Sequence, residues 1–134
     1  MKEELAEGAR VYAELRGKAR ATQMQELAHG IGAEAVIAGL SLEFIFGKVW
    51  SRDGLDRKHR SLVTIAVLVA LRQTSELQNH FRIGLTNGLT QAEIEEAIVQ
   101  TAPYAGFPAA WTAAQAFVNL TQDRSNTSDK DAGD

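Results

Sequence analysis

Glu76 and His80 stand four residues apart in the run Ser75-Glu76-Leu77-Gln78-Asn79-His80. At helical pitch that spacing puts both side chains on one face, one turn apart. A carboxylate beside an imidazole is a competent proton-transfer unit, because the carboxylate orients the ring and selects its tautomer. The neighbours Leu77, Phe81 and Gly84 are core-like, so the pair is expected to be partly buried. Spacing alone does not separate such a unit from an ordinary helix-surface pair.

Other chemistries find less support. The chain has no cysteine, which excludes thiolate metal sites, disulfides and a cysteine nucleophile within it. The three histidines, His29, His59 and His80, are too scattered for a histidine-rich metal motif. No glycine-rich loop has phosphate-binding spacing. The net charge of −3 offers no basic face for nucleic acid. No apolar run reaches the roughly 20 residues that span a bilayer. The segment Met1 to Arg10 is charged and lacks an apolar signal core, so a cytoplasmic protein is expected.

The elements that must position the pair are helices, because apolar residues recur at helical spacing and never alternate over a strand's length. The first helix is expected from Lys2 to about Arg16, with Gly17 as its stop. A short helix follows over Thr22 to Ala28, where Thr22 and Gln25 have capping-box spacing. Gly30 and Gly32 break the chain. Glu34 to Phe46 forms the next helix, closed by Gly47, and Lys48 to Asp56 is a loop.

Asp56 caps a helix running to about Leu71 that is apolar nearly all round and therefore expected at the centre of the fold. Ser75 and Gln78 mark the start of the Glu76/His80 helix, and Asn87-Gly88 its end. Thr90 and Glu93 open another helix, which Pro103 and Gly106 break. Pro108 suits the first turn of a last helix reaching about Leu120. Thr121 to Asp134 is polar and acidic and reads as a disordered tail after one domain over residues 1–120. The expectation is a compact all-α bundle of six to seven helices. So many apolar faces in 134 residues point to burial between subunits, hence a homo-oligomer.

From Phe46 to Pro108 an ordered set of short pieces resembles the carboxymuconolactone decarboxylase family. The pieces are Phe46-Gly47, Val49-Trp50, Arg52, Gly54-Leu55, Arg57 and Arg60-Ser61-Leu62-Val63. They continue with Glu76-Leu77, His80, Asn87-Gly88-Leu89-Thr90, Glu93-Ile94, Glu96, Tyr104-Ala105-Gly106 and Pro108-Ala109-Ala110. Glu7-Gly8 and Gly17 extend the likeness over roughly residues 5 to 120. The resemblance implies an all-α fold of the alkyl hydroperoxidase D-like type, a homotrimer or homohexamer, and a site between helices.

It also implies one of two chemistries. A peroxidase-like branch uses a cysteine pair just upstream of the histidine, where this chain has Gln73 and Glu76, so a cysteine-dependent peroxidase is ruled out. The other branch decarboxylates a small carboxylated lactone, such as 4-carboxymuconolactone, without a cofactor or metal, in aromatic compound catabolism. In that branch His80 transfers the proton and Glu76 orients it. Arg57 or Arg60 would hold the anionic substrate by a charge-assisted fork. Trp50 and Tyr104 would line the pocket, and Gln115 would contact substrate.

Two features depart from the pattern. Trp111 and Gln115 stand where the decarboxylases often carry Asn and His, and Ala105 where Cys is common. Gln115 hydrogen-bonds but cannot transfer a proton at neutral pH.

Plainer readings exist for most of these residues. Arg57 and Arg60 also suit ion pairs with Asp53, Asp56 or a glutamate, Trp50 a core anchor, and the Tyr104 segment a turn. His29 and His59 suit exposed surfaces. Two other functions use the same residues: an isomerase or cyclase with the same acid/base pair, and a non-catalytic helical oligomer that binds a ligand or a partner protein.

Overall fold

Turn chemistry sets most of the helix boundaries. The computed structural model describes residues 2–132 in their backbone and 2–126 in their side chains. The elements are α1 (Lys2–Arg16), α2 (Lys18–Ala28), α3 (Ala33–Leu40), a π-helical segment (Ser41–Val49), α4 (Arg57–Ala70), α5 (Thr74–Thr86), α6 (Gln91–Ala105) and α7 (Phe107–Ala132). The fold is all-α, with no strand among the described residues. Backbone contacts divide it into two compact units, Met1–Arg60 and Ser61–Asp134, and α4 begins in the first and runs through the second.

In the first unit α1 packs on the π segment. Two glycines make this possible. A Cβ on Gly8 would lie 1.7 Å from the Leu42 carbonyl oxygen, and one on Gly47 would lie 2.4 Å from that of Glu4. Gly47 is therefore not the helix stop that the sequence suggests. It is a point of backbone approach, and the helix continues through it to Val49. The Trp50 amide bonds the Ile45 carbonyl at 2.9 Å, an i→i−5 closure. That wider turn suits the burial of Leu42, Phe46 and Trp50, four residues apart. Tyr12 meets Phe46 edge-on, ring centroids 4.8 Å apart, and Val11 and Leu15 complete this core.

The second unit buries one stripe of α4 (Ser61, Ile65, Val69) with Leu77 and Phe81 of α5, Ile94 and Ile98 of α6, and Ala113 and Phe117 of α7. α4, expected at the centre of the fold, buries this stripe alone. Val63 and Val67, on its other face, and Leu71, just past its end, are exposed.

Local signals fare unevenly. Asp56 accepts the His59 backbone N–H at 2.8 Å and caps α4. Thr90 and Glu93 form a full capping box, with both bonds at 3.0 Å. Thr22 and Ser75 do not cap, because α2 and α5 start earlier, at Lys18 and Thr74. α6 passes through Pro103 and ends at Gly106, φ 98°. Pro103 and Val99 both lie on the solvent side, so the Val99 carbonyl that Pro103 cannot bond has access to water. α7 runs past Leu120. The segment expected as a tail continues as helix to Ala132, and residues 133–134 lie outside the described residues.

Both ends of the connection around α5 are Schellman turns. After α4, the Arg72 amide bonds Val69 and the Gln73 amide bonds Leu68, with Arg72 at φ 56°. After α5, the amides of Gly88 and Leu89 bond Leu85 and Gly84, with Gly88 at φ 98°. Glycine accepts the left-handed conformation without penalty, whereas arginine does not. Arg72→Gly should therefore raise unfolding free energy by about 1 kcal/mol, read by urea denaturation. Gly8→Ala should cost at least about 3 kcal/mol by the same measurement, since backbone rather than a flexible side chain must move.

Candidate active site

α5 sorts its side chains by depth. Leu77, His80, Phe81, Ile83 and Gly84 are buried, while Glu76, in the first turn, is exposed. Phe81 anchors the helix on α7 through an edge-on contact with Phe117, centroids 4.9 Å apart. Gly84 lets Leu89 close in, since a Cβ there would stand 3.0 Å from the Leu89 Cδ1. His80 is fixed by these flanking contacts with only 7% of its surface open.

His80 Nε2 lies 4.0 Å from Glu76 Oε2. The side chain of Glu76 is 63% exposed and that of His80 9%. The separation exceeds a direct hydrogen bond but lies within ion-pair range. The arrangement is a sheltered imidazole with a carboxylate at its solvent edge. It can hold a proton on the ring and exchange it with water or a bound acid. Spacing alone anticipated the pairing. Among the described residues, no three His, Asp or Glu side chains group as a metal site.

The other expected site residues have different surroundings. Arg57 Nη1 bonds Glu14 Oε2 at 2.6 Å, and Arg10 links Glu14 to Glu7 along α1. Arg57 thus has a glutamate of α1 as an ion-pair partner, as the plainer reading of this arginine allows. The i,i+3 and i,i+4 spacings of Glu7 and Glu14 about Arg10 signal the Arg10 links alone. The Arg10 hydrogen bond also holds the Glu7 carboxyl below the usual range.

Arg60 donates to the carbonyls of Leu55 at 3.0 Å and Arg52 at 3.1 Å, and so clamps the loop before α4. Asp56 pairs with His59, whose Nδ1 lies 2.8 Å from both carboxylate oxygens. The His59 backbone N–H, and then the imidazole, hold the Asp56 carboxyl below the usual aspartate range. His59 is exposed, as is His29, whose Nδ1 lies 2.6 Å from the Gln25 carbonyl.

Trp50 is buried at 6% in the core of the first unit. Tyr104 is exposed near the end of α6, and Gln115 is exposed on α7 in a groove it shares with Trp111. Glu76 and His80 are therefore brought together. Arg57, Arg60 and Trp50 are each engaged within the first unit, and Tyr104 and Gln115 line separate surface grooves of the second.

A model of the carboxymuconolactone decarboxylase family matches residues 37–119. The chain belongs to this family. All seven expected site residues lie inside the matched span, whereas α1 and α2 lie outside it.

Among similar proteins is the 4-carboxymuconolactone decarboxylase of Acinetobacter baylyi. It is 53% identical over 66 residues, which are 49% of this chain and 49% of that protein. The nitrosuccinic acid decarboxylase of Metarhizium robertsii is 44% identical over 69 residues, 52% of this chain and 48% of that protein. An uncharacterized 15.0 kDa protein of Paracoccus denitrificans is 40% identical over 70 residues, 51% of this chain and 52% of that protein. The chain spans about half the length of the curated relatives it matches. Among the described residues, no helix is long and apolar enough to cross a membrane.

The clamp formed by Arg60 has a measurable consequence. Lysine cannot reach two carbonyls with a planar fork. Losing one such bond, worth about 1 kcal/mol, should speed amide hydrogen exchange in the loop over residues 51–56 roughly fivefold in Arg60→Lys. Unchanged exchange would remove the clamp.

Proposed function

We propose that this chain is a decarboxylase that removes CO₂ from a small carboxylated lactone such as 4-carboxymuconolactone, with His80 moving the proton and Glu76 orienting it. The observation that carries the reading is the sheltered His80 imidazole with Glu76 at its edge, 4.0 Å away, inside the span that matches the family. Two relatives are named as decarboxylases, one of 4-carboxymuconolactone and one of nitrosuccinic acid, which supports the reaction class.

The chemistry asks little beyond this. Breaking the bond between carbon and carboxylate releases CO₂ and leaves an electron pair on the ring. The lactone carbonyl delocalises that pair as an enolate, and protonation of carbon completes the step. The protonated His80 ring delivers this proton and recovers another from water. Burial shelters the imidazole from competing exchange, and the exposed Glu76 carboxylate stabilises the imidazolium and turns it toward the substrate. Contacts of this kind tighten when substrate binds, so the 4.0 Å separation suits a resting site.

Release of CO₂ from 4-carboxymuconolactone is the direct assay. It separates decarboxylation from an isomerisation that uses the same pair. His80→Ala should lower turnover by roughly 10²- to 10⁴-fold, the usual range for a general acid, with an unchanged far-ultraviolet circular dichroism spectrum. Glu76→Gln should fall between that variant and the wild type. Turnover retained in His80→Ala would sink the assignment.

A further inference from the structure

Among the described residues, the second unit buries three polar or charged side chains, Ser61, His80 and Thr101. Thr101 is satisfied inside its own helix, where its hydroxyl donates to the Ile98 carbonyl at 2.6 Å. His80 is the proposed proton carrier. Ser61, near the start of α4, has no exposed surface. Its hydroxyl oxygen accepts the side-chain amide of Asn87 at 2.9 Å, from 26 residues further along the chain. By spacing alone, Asn87 marks only the end of a helix.

The placement of this bond follows from α5 itself. His80, Gly84 and Asn87 recur at i, i+4 and i+7 and so share one face. Gly84 brings that face close to α4, since a Cβ there would stand 3.3 Å from the Ile65 Cδ1. Asn87 thus stands opposite Ser61 and Gly84 opposite Ile65, so the two helices run antiparallel. One turn further in the same register lie Val69 on α4 and His80 on α5.

We infer that the Asn87–Ser61 hydrogen bond is the positioning contact of the site: it fixes α5 lengthwise on α4 and thereby sets where His80 holds its proton. The inference deepens the reading of His80 as the proton-transfer residue and rests on it.

Directionality carries the argument. Ile65, Val69, Leu77 and Phe81 are held by apolar burial, which is non-directional and changes little over a small slide. A hydrogen bond keeps to a narrow range of distance and weakens steeply off line. Sliding α5 would leave the buried Ser61 hydroxyl short of its partner, a cost that apolar contacts do not return. The edge-on contact of Phe81 with Phe117 orients α5 about its axis, and the polar bond adds the coordinate along it. Proton delivery needs both, because a misplacement of about 1 Å can cost on the order of 10²-fold in rate. Asn87 and Ser61 are positioning residues in this scheme and act through His80.

Steady-state kinetics on 4-carboxymuconolactone and the ring signals of His80 in proton NMR test this together. The ring signals are assigned by their loss in His80→Ala and need no substrate. Ser61→Ala and Asn87→Ala should each lower kcat roughly 10- to 100-fold, with KM within about twofold of the wild type. Each should also move the His80 ring signals, with an unchanged circular dichroism spectrum. The double variant should fall no further than either single one, since both remove the same bond. Thr90→Ala removes the neighbouring cap of α6, a loss of similar size, and should leave kcat and the ring signals at their wild-type values. Unmoved ring signals in both single variants would overturn the inference. So would additive losses in the double variant, or equal effects in Thr90→Ala, which would make the bond a general stabiliser. Wild-type turnover in His80→Ala sinks the decarboxylase reading instead, and the ring signals then still decide the seating of α5.

Discussion

The seating of Phe81 against Phe117 governs the second unit. Burying a phenylalanine pair edge-on stabilises the α5–α7 contact and fixes the rotation of α5 about its own axis. Once that rotation is set, the rest of the helix has no choice. Leu77, one turn before Phe81, must also be buried. His80, adjacent to Phe81, is carried inward with it, and Glu76, one turn before His80, comes to the solvent edge. The depth difference between the two candidate catalytic groups is thus a by-product of aromatic packing.

Backbone economy serves the same end. The turns before and after α5 satisfy the last carbonyls of α4 and α5 with amides from the following residues, so neither end needs a side-chain cap. Gly88 takes the left-handed position without strain, and Arg72 takes it at a cost, immediately before the helix that carries Glu76 and His80. The Asn87 side chain then donates to the buried Ser61 at 2.9 Å, which ties the end of α5 to the start of the α4 stripe. In the first unit glycine does comparable work by absence. Gly8 and Gly47 let two helices touch backbone to backbone, where any Cβ would force them apart.

Apolar content exceeds what the described structure buries. α4 shows this most plainly, with Ile65 and Val69 inside and Val63 and Val67 outside. A helix that is apolar around its circumference has two sides to cover, and the core of its own unit covers one.

Much of this molecule was legible from sequence, and the legible part is local. The capping box at Thr90 and Glu93, the cap at Asp56 and the stops at Gly17 and Asn87-Gly88 depend on residues three or four positions apart, so composition and spacing suffice. The pairing of Glu76 with His80 is of the same kind. The capping spacings at Thr22 and Ser75 misled because propensity at one position yields to helices that start earlier.

Packing across the chain decided the remainder. The π turn at Ser41–Val49 answers to burial of Leu42, Phe46 and Trp50 against α1, and the approach at Gly47 keeps that helix running where glycine usually ends one. Arg57 meets Glu14 because folding brings α1 to the start of α4, a pairing no local window contains. Which stripe of α4 lies inside was likewise hidden, since Ile65 and Val67 look alike to any hydrophobicity pattern. Sequence determined that Glu76 and His80 share a face. Tertiary structure decided that His80 would be the sheltered member, because the desolvation that distinguishes them comes from Leu77, Phe81 and the elements they pack against.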